Sequence, residues 1–194
     1  MHKTSYYIIN GITMYRVIAS VLLLYLLITK QEEVFKWLIA LSFFTDSIDG
    51  FLARKYKVAT AMGSRLDSLG DDLTVLMGIL GIAVFNPDFL RQQSIPVFGL
   101  VGLFLIQASL SFYRYGKFSS FHTYLAKAAA IFQGSFLILF FFLPQPPVLL
   151  FYAAAIITGI ELIEEIILVM LLPQWKTDVK GIYWVLKGGS HKTA

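Results

Sequence analysis

The chain has 194 residues, of which 57% are hydrophobic and 14% are charged, and its formal net charge is +4. Soluble domains of this length usually carry about 25% charged residues, so the composition excludes an ordinary soluble domain and indicates an integral membrane protein. The absence of cysteine excludes disulfides, thiolate metal sites and a cysteine nucleophile.

Apolar runs of about 20 residues, the length at which a helix crosses a bilayer, predict six transmembrane helices. Short breaks rich in proline, glycine or charge separate them, so we expect one all-α domain over residues 1–194. We expect no cleaved signal peptide, because no small-residue cleavage site follows the first span. The predicted spans are 8–29, 34–53, 62–85, 96–113, 124–143 and 148–172, followed by a basic tail at 173–194.

The positive charges predict the orientation of these spans. With the N-terminus inside, every lysine and arginine except Lys30, Lys36 and Arg91 falls at or near the cytoplasmic side. Both termini are therefore predicted to be cytoplasmic, in agreement with an even number of spans. We expect a short interfacial helix before the first span, and the basic, aromatic tail favours a membrane-surface anchor over a specific binding role.

The stretch DSIDGFLARKYKVATAMGSRLDSLGDD carries five aspartates at the cytoplasmic turn between the second and third spans. Asp46 and Asp49 are three residues apart, and Asp67 and Asp71 are four apart, so each pair shares a helix face. If the two faces meet, four carboxylates converge, and hard divalent cations such as Mg²⁺ choose oxygen ligands of this kind. Aspartates that only solvate a loop would not recur at helical spacing among glycine and alanine.

This stretch contains the pattern D-x2-D-G-x2-A-R-x8-G-x3-D-x3-D, which resembles the signature of the CDP-alcohol phosphatidyltransferase family. The six spans and short loops are similar to the whole family domain. The resemblance implies an enzyme that transfers a phosphatidyl group from CDP-diacylglycerol to a small alcohol and releases CMP. The eight fixed positions are matched by Asp46, Asp49, Gly50, Ala53, Arg54, Gly63, Asp67 and Asp71.

The resemblance also implies roles for these residues. The four aspartates would hold one or two Mg²⁺ or Mn²⁺ ions, and Asp71 would also be the general base for the acceptor hydroxyl. Arg54 would lie near the donor phosphates. Gly50, Ala53 and Gly63 would make room for the cytidine nucleotide.

The first span begins NGITMYR, which is similar to the N-x-x-T-x-x-R start of many family members. In those proteins the segment lies near the nucleotide, so the resemblance implies that Thr13 or Asn10 contacts the donor. The alternative is helix capping together with an arginine, Arg16, that reaches to the interface.

Arg114, Lys117 and Lys127 cluster around the cytoplasmic turn between the fourth and fifth spans. They are the predicted site for a phosphate on the acceptor, and ordinary positive-inside residues are the alternative. The stretch AKAAAIFQ resembles the G-K-x-K-T-x-x-Q sequence of phosphatidylglycerophosphate synthases, with Lys127 and Gln133 at matching positions. Ala129 stands in place of the second lysine, which weakens the case for glycerol 3-phosphate as the acceptor.

The sixth span carries Glu161, Glu164 and Glu165 within an apolar helix. Acids in such a place are normally paired or functional. They either form a structural ion pair, for example with Arg114 or Lys127, or line the acceptor pocket. In the second case they would favour an acceptor with an amine, such as serine, or a polyol.

Glycerol 3-phosphate is the predicted acceptor, with serine, inositol phosphate or another alcohol as alternatives for the same chemistry. An intramembrane prenyltransferase and a cation-coupled transporter are the rival classes. Prenyltransferases usually have longer chains with two separated aspartate-rich motifs, and a transporter would need acids along a path across the bilayer. The resemblance further implies a homodimer in the membrane (the inner membrane if bacterial), an active site facing the cytoplasm and no nucleic-acid partner.

Overall fold

A computed structural model describes residues 18–56, 61–119, 121–176 and 179–189, with the backbone alone for 46–56, 61–69 and 188–189. These residues form helices and loops and contain no strand, so the all-α prediction is confirmed for the described chain. The helices are α1 (Ile18–Ile28), α2 (Glu32–Tyr56), α3 (Ala61–Phe85), α4 (Pro87–Gln92), α5 (Ser94–Tyr115), α6 (Tyr124–Phe142), α7 (Val148–Leu171) and α8 (Ile182–Gly189).

A helix lies at each of the six predicted spans, with ends that differ from the prediction by a few residues. Helix α2, for example, continues to Tyr56 beyond the predicted end at Ala53. Its last turn contains arginine and lysine, which end a hydrophobic run but are good helix formers. The part of the first predicted span before Ile18, and the interfacial helix predicted before it, lie outside the described residues.

Two short helices were not predicted. Helix α4 lies in the break between the third and fourth spans and begins at Pro87, whose ring suits the first position of a helix. The Asn86 side chain caps it by accepting a hydrogen bond from the Phe89 backbone N–H at 3.2 Å. Helix α8 lies in the basic tail. Both are too short for their apolar period to stand out in the sequence.

Two of the helices, α5 and α6, are long and apolar enough to cross a membrane, with mean hydropathies of 2.0 and 1.8. Large apolar side chains are exposed on α5, including Ile95 at 86% and Phe98 at 67%. Exposing such apolar side chains to water is unfavourable, whereas contact with lipid is not. These features agree with a membrane protein, and the number of spans and their orientation stay predictions.

The described chain divides into two compact units. The first contains the described residues of Met1–Gln92 together with Leu137–Pro146. Within it, α2 and α3 contact each other and run antiparallel, since the Phe35 ring near the start of α2 lies 5.4 Å from the Phe85 ring at the end of α3. Phe141 completes this aromatic cluster, with its ring centroid 5.2 Å from that of Phe35.

The second unit contains the described residues of Gln93–Phe136 and Pro147–Ala194. Helices α5 and α7 form its main packing pair, and α8 packs on α7. Five buried side chains form its core around the C-terminal end of α7 and the segments that precede α6 and α8: Phe121, Leu168, Val169, Leu172 and Val179.

Candidate functional site

The aspartate motif lies on α2 and α3, and close contacts at the opposite end of this helix pair fix their register. A Cβ added to Gly78 on α3 would lie 3.3 Å from Cδ1 of Ile39 on α2. These two residues are therefore level, that is, at about the same height along the helix pair. Asp46 lies seven residues after Ile39, and Asp71 lies seven residues before Gly78. Both aspartates are therefore about 10 Å further along their helices at a rise of about 1.5 Å per residue, so straight helices would bring Asp46 level with Asp71.

The second pair of aspartates follows the same register. A Cβ on Gly81 would lie 2.6 Å from Cε1 of Phe35, so Phe35 and Gly81 are level as well. Asp49 lies fourteen residues after Phe35, and Asp67 lies fourteen residues before Gly81. If α2 and α3 continue straight in this register, the two motif aspartates of one helix are level with those of the other.

The donor set of the motif fits a hard divalent cation, because four carboxylates are predicted to converge. Asp71 is partly buried, whereas the side chains of Asp46, Asp49 and Asp67 lie outside the described set. Among the side chains that the structure describes, no group of three or more His, Asp or Glu residues could hold a metal ion. The metal site and the role of Asp71 as base stay predictions.

Four of the other predicted donor-binding residues are placed by the backbone alone. Gly50, Ala53 and Arg54 lie near the C-terminal end of α2, and Gly63 lies in the first turn of α3. Thr13 lies outside the described residues, together with the rest of the NGITMYR stretch. The nucleotide contacts of all five residues stay predictions.

The predicted acceptor residues Arg114, Lys117 and Lys127 have different surroundings. Lys127 lines a cavity of about 180 Å³ at the start of α6, together with His122, Tyr124 and Lys180. Lys117 instead lies with its Nζ 5.6 Å from the centroid of the Trp175 ring.

Arg114 is exposed in the last turn of α5 and does not line the cavity either. At the C-terminal end of a helix its positive charge is favourable in any case.

Two glutamates of α7, Glu164 and Glu165, accept hydrogen bonds from neutral groups. Glu165 Oε2 accepts hydrogen bonds from Gln107 Nε2 at 2.6 Å and from Ser119 Oγ at 2.8 Å, and Gln107 also donates to Ser119. Glu164 Oε1 accepts a hydrogen bond from the backbone N–H of Ile182 at 3.2 Å. Glu165 therefore links α7 to α5, and Glu164 links α7 to α8. These contacts support a structural role, with neutral donors in place of the predicted lysine or arginine.

Gln133, which matches the glutamine of the phosphatidylglycerophosphate synthase stretch, also contacts α7. Its Nε2 donates a hydrogen bond to Thr158 Oγ1 at 2.7 Å. Thr158 and Glu161 are buried on the same helix, at 8% and 9% exposure. In this structure Gln133 therefore connects two helices.

Three residues of the cavity, His122, Tyr124 and Lys180, are not among the predicted acceptor-binding residues. His122 and Lys180 lie in irregular segments, which carry no period that the sequence could reveal. The sequence favours a surface anchor for the tail. The basic residues of the tail are the signal that could have pointed to Lys180 as a binding residue.

Comparison with known proteins identifies the family. Residues 6–171 match the family model for CDP-alcohol phosphatidyltransferase. A segment of 69 residues is 42% identical to the chloroplastic CDP-diacylglycerol–glycerol-3-phosphate 3-phosphatidyltransferase 1 of Oryza sativa subsp. japonica. That match covers 36% of this chain and only 18% of the rice protein. No solved structure matches the chain. Because the family model covers most of its length, the chain belongs to the CDP-alcohol phosphatidyltransferase family, a family of enzymes, as its aspartate motif predicts.

Proposed function

We propose that the protein transfers a phosphatidyl group from CDP-diacylglycerol to the hydroxyl of glycerol 3-phosphate and releases CMP. The complete eight-position motif within the family match carries this proposal. The rice relative, whose name specifies glycerol 3-phosphate, supports the acceptor. Serine, inositol phosphate and other alcohols are the alternatives, because Ala129 replaces the second lysine of the phosphatidylglycerophosphate synthase stretch.

The register of α2 and α3 supports the proposed site. Helices whose aspartates are level can present four carboxylates to a single point between them. Asp46, Asp49, Asp67 and Asp71 would hold one or two Mg²⁺ or Mn²⁺ ions. Bound there, the metal would neutralise the charge of the donor pyrophosphate and of the departing CMP.

The residues of the chain would handle the proton and the orientation of the donor. Asp71 would accept the proton of the acceptor hydroxyl as its oxygen bonds to the phosphatidyl phosphorus. The bond from that phosphorus to the CMP oxygen breaks, and CMP leaves with the electron pair. Arg54 would bind the donor phosphates through charge-assisted hydrogen bonds, and Thr13 would contact the nucleotide.

The proposed location of the active site at the membrane surface follows from its two substrates, a lipid donor and a soluble acceptor. We propose six membrane spans with both termini and the active site on the cytoplasmic side, since most lysines and arginines then lie inside. A site near that interface would meet the lipid from the bilayer and the acceptor from water. We also propose a homodimer, which chemical crosslinking in membranes would detect.

The experiment that tests the reaction is an assay of CMP release from labelled CDP-diacylglycerol. Membranes containing the protein are supplied with Mg²⁺ and, in separate reactions, glycerol 3-phosphate, serine, inositol phosphate and inositol. We expect CMP and one new phospholipid with glycerol 3-phosphate. A product with another alcohol would correct the acceptor, and no release of CMP with any of them would contradict the proposed reaction.

The metal site is tested separately. Chelation by EDTA should abolish CMP release, and added Mg²⁺ or Mn²⁺ should restore it. Replacing one ligand, by Asp67→Asn, should raise the Mg²⁺ concentration needed for half-maximal activity. Asp88→Asn is the matched control, because Asp88 forms an exposed ion pair with Arg91 on α4. Equal Mg²⁺ dependence in both variants would contradict the metal role of Asp67.

A further inference from the structure

The cavity at the start of α6 has a lining of basic and polar side chains. Among the described residues, two lysines, one histidine and one tyrosine line it. Three of these residues, His122, Tyr124 and Lys127, come from one stretch of chain. The fourth, Lys180, comes from the segment before α8 and lies outside the residues 6–171 that match the family model. All four belong to the second compact unit.

Backbone hydrogen bonds hold the two segments side by side. The N–H of Val179 donates to the carbonyl oxygen of Phe121 at 2.7 Å, and the N–H of Tyr124 donates to the carbonyl oxygen of Lys180 at 3.3 Å. Phe121 and Val179 are both buried in the core, at 0% and 8% exposure. Lys180 therefore follows an anchored residue, so its place beside the start of α6 is set by the fold.

The other wall of the cavity is equally well anchored. Thr123 is fully buried, and its Oγ1 accepts a hydrogen bond from the Ala126 N–H at 3.0 Å, which caps α6. His122 has a backbone φ of 51°, in the left-handed region that few residues adopt. Its neighbours, Phe121 and Thr123, are both fully buried, and they hold the backbone in this conformation. The histidine is thus fixed in the cavity wall.

The charge of the cavity favours an anion. The Lys127 ammonium lies 5.3 Å from the centroid of the Tyr124 ring, and Lys180 adds a second ammonium to the same cavity. An oxyanion would accept charge-assisted hydrogen bonds from both groups and relieve their mutual repulsion. The positive end of the α6 dipole adds to this attraction.

The cavity is small. Sites for drug-sized ligands occupy about 300–1,000 Å³, whereas this cavity occupies about 180 Å³. A phosphate group is of a suitable size for this space.

We propose that this cavity binds a phosphate monoester and that Lys180, from the C-terminal segment, binds it together with Lys127. The proposal rests on the proposed function, because glycerol 3-phosphate carries such a group. A phosphatidic acid headgroup has the same chemistry and is the other source. The proposed phosphate site contains Lys127, as the sequence predicts, and Lys180 in addition.

Binding of labelled inorganic phosphate to the detergent-solubilised full chain tests the cavity without any need for turnover. We expect saturable binding that Lys180→Gln and Lys127→Gln each weaken about tenfold, the loss of about 1.4 kcal/mol. Lys187→Gln is the matched control on the same tail, since Lys187 lies over the Tyr183 ring, and it should bind phosphate like the wild type. No saturable binding, or unchanged binding in Lys180→Gln, would overturn the proposal.

Competition against the labelled phosphate identifies the source of the ligand. Displacement by glycerol 3-phosphate, but not by glycerol, would assign the cavity to the acceptor. In that case Lys180→Gln should raise the KM for glycerol 3-phosphate about tenfold with little change in kcat. Displacement only by phosphatidic acid in nanodiscs would assign it to a lipid headgroup, and displacement by neither compound would overturn the proposal.

These experiments distinguish a wrong cavity assignment from a wrong reaction. If phosphate binding depends on Lys180 but no acceptor yields CMP, the reaction is wrong and the cavity assignment stands. If CMP is released while phosphate binding and KM are insensitive to Lys180→Gln, the reaction stands and the cavity assignment is wrong.

Discussion

Phe35 packs on Gly81 so closely that a single added carbon could not fit between the two helices. A Cβ on Gly81 would lie 2.6 Å from Cε1 of Phe35 and 2.8 Å from Cζ of Phe141. The absence of a side chain at Gly81 therefore lets α2 and α3 approach and sets their register. Continued along straight helices, that register predicts that the motif aspartates of the two helices are level with each other.

Gly81→Ala should destabilise the protein by about 1–3 kcal/mol, because two packed aromatic rings must move to admit the methyl group. Thermal unfolding in detergent measures the effect. Gly99→Ala is the matched control, since a Cβ at Gly99 on α5 meets nothing within 4 Å. The control should be neutral or slightly stabilising, because alanine favours a helix over glycine by about 0.5–1 kcal/mol. Equal stability of the two variants would contradict the close contact.

Asp71→Asn should lower kcat by about 10²–10⁴-fold, the usual contribution of a general base. An amide keeps the shape of the carboxylate but cannot accept the hydroxyl proton. Asp72→Asn is the adjacent control, because Asp72 lies outside the eight-position motif, and it should retain activity within about tenfold. CMP release at saturating acceptor is the measurement. If Asp71→Asn is as active as the control, Asp71 is not the base.

Gln107→Ala should destabilise the protein by about 1–3 kcal/mol, because it removes one of the donors that solvate the Glu165 carboxylate. Gln93→Ala removes an exposed hydrogen bond with Tyr152, and it should cost only about 0.5 kcal/mol. A double-mutant cycle of Gln107→Ala with Glu165→Ala in thermal unfolding should show a coupling of about 0.5–3 kcal/mol. Additive effects would show that the two side chains do not depend on each other.

Tyr115→Phe should destabilise the end of α7. The Tyr115 hydroxyl lies 3.0 Å from the carbonyl oxygen of Val169 and 2.8 Å from that of Leu172. The Val169 carbonyl is one of the last in the helix, and Pro173, four residues on, has no N–H to donate to it. We expect a loss of about 1 kcal/mol in unfolding free energy. Tyr113→Phe, at a side chain that is 91% exposed, should have no measurable effect, and an equal effect of both would contradict the capping role.

The sequence by itself determined the helical class, the approximate positions of α2, α3, α5, α6 and α7, and the family. These features are local: an apolar run of sufficient length predicts its own helix, and the aspartate motif is a spacing within one stretch of chain. The short helices α4 and α8 were missed for the same reason, because neither has a run long enough to show a helical period.

The tertiary structure decided which residues meet across the chain. Gly78 and Gly81 let α2 and α3 approach closely and set their register. The sequence predicted only that the aspartates of each helix share a face. Glu165 binds Gln107 and Ser119, and Glu164 binds a backbone N–H, where the sequence predicted lysine or arginine as one alternative. The tail brings Lys180 beside Lys127. Such contacts join residues that are distant in the chain, so they depend on packing and backbone pairing that no local pattern encodes.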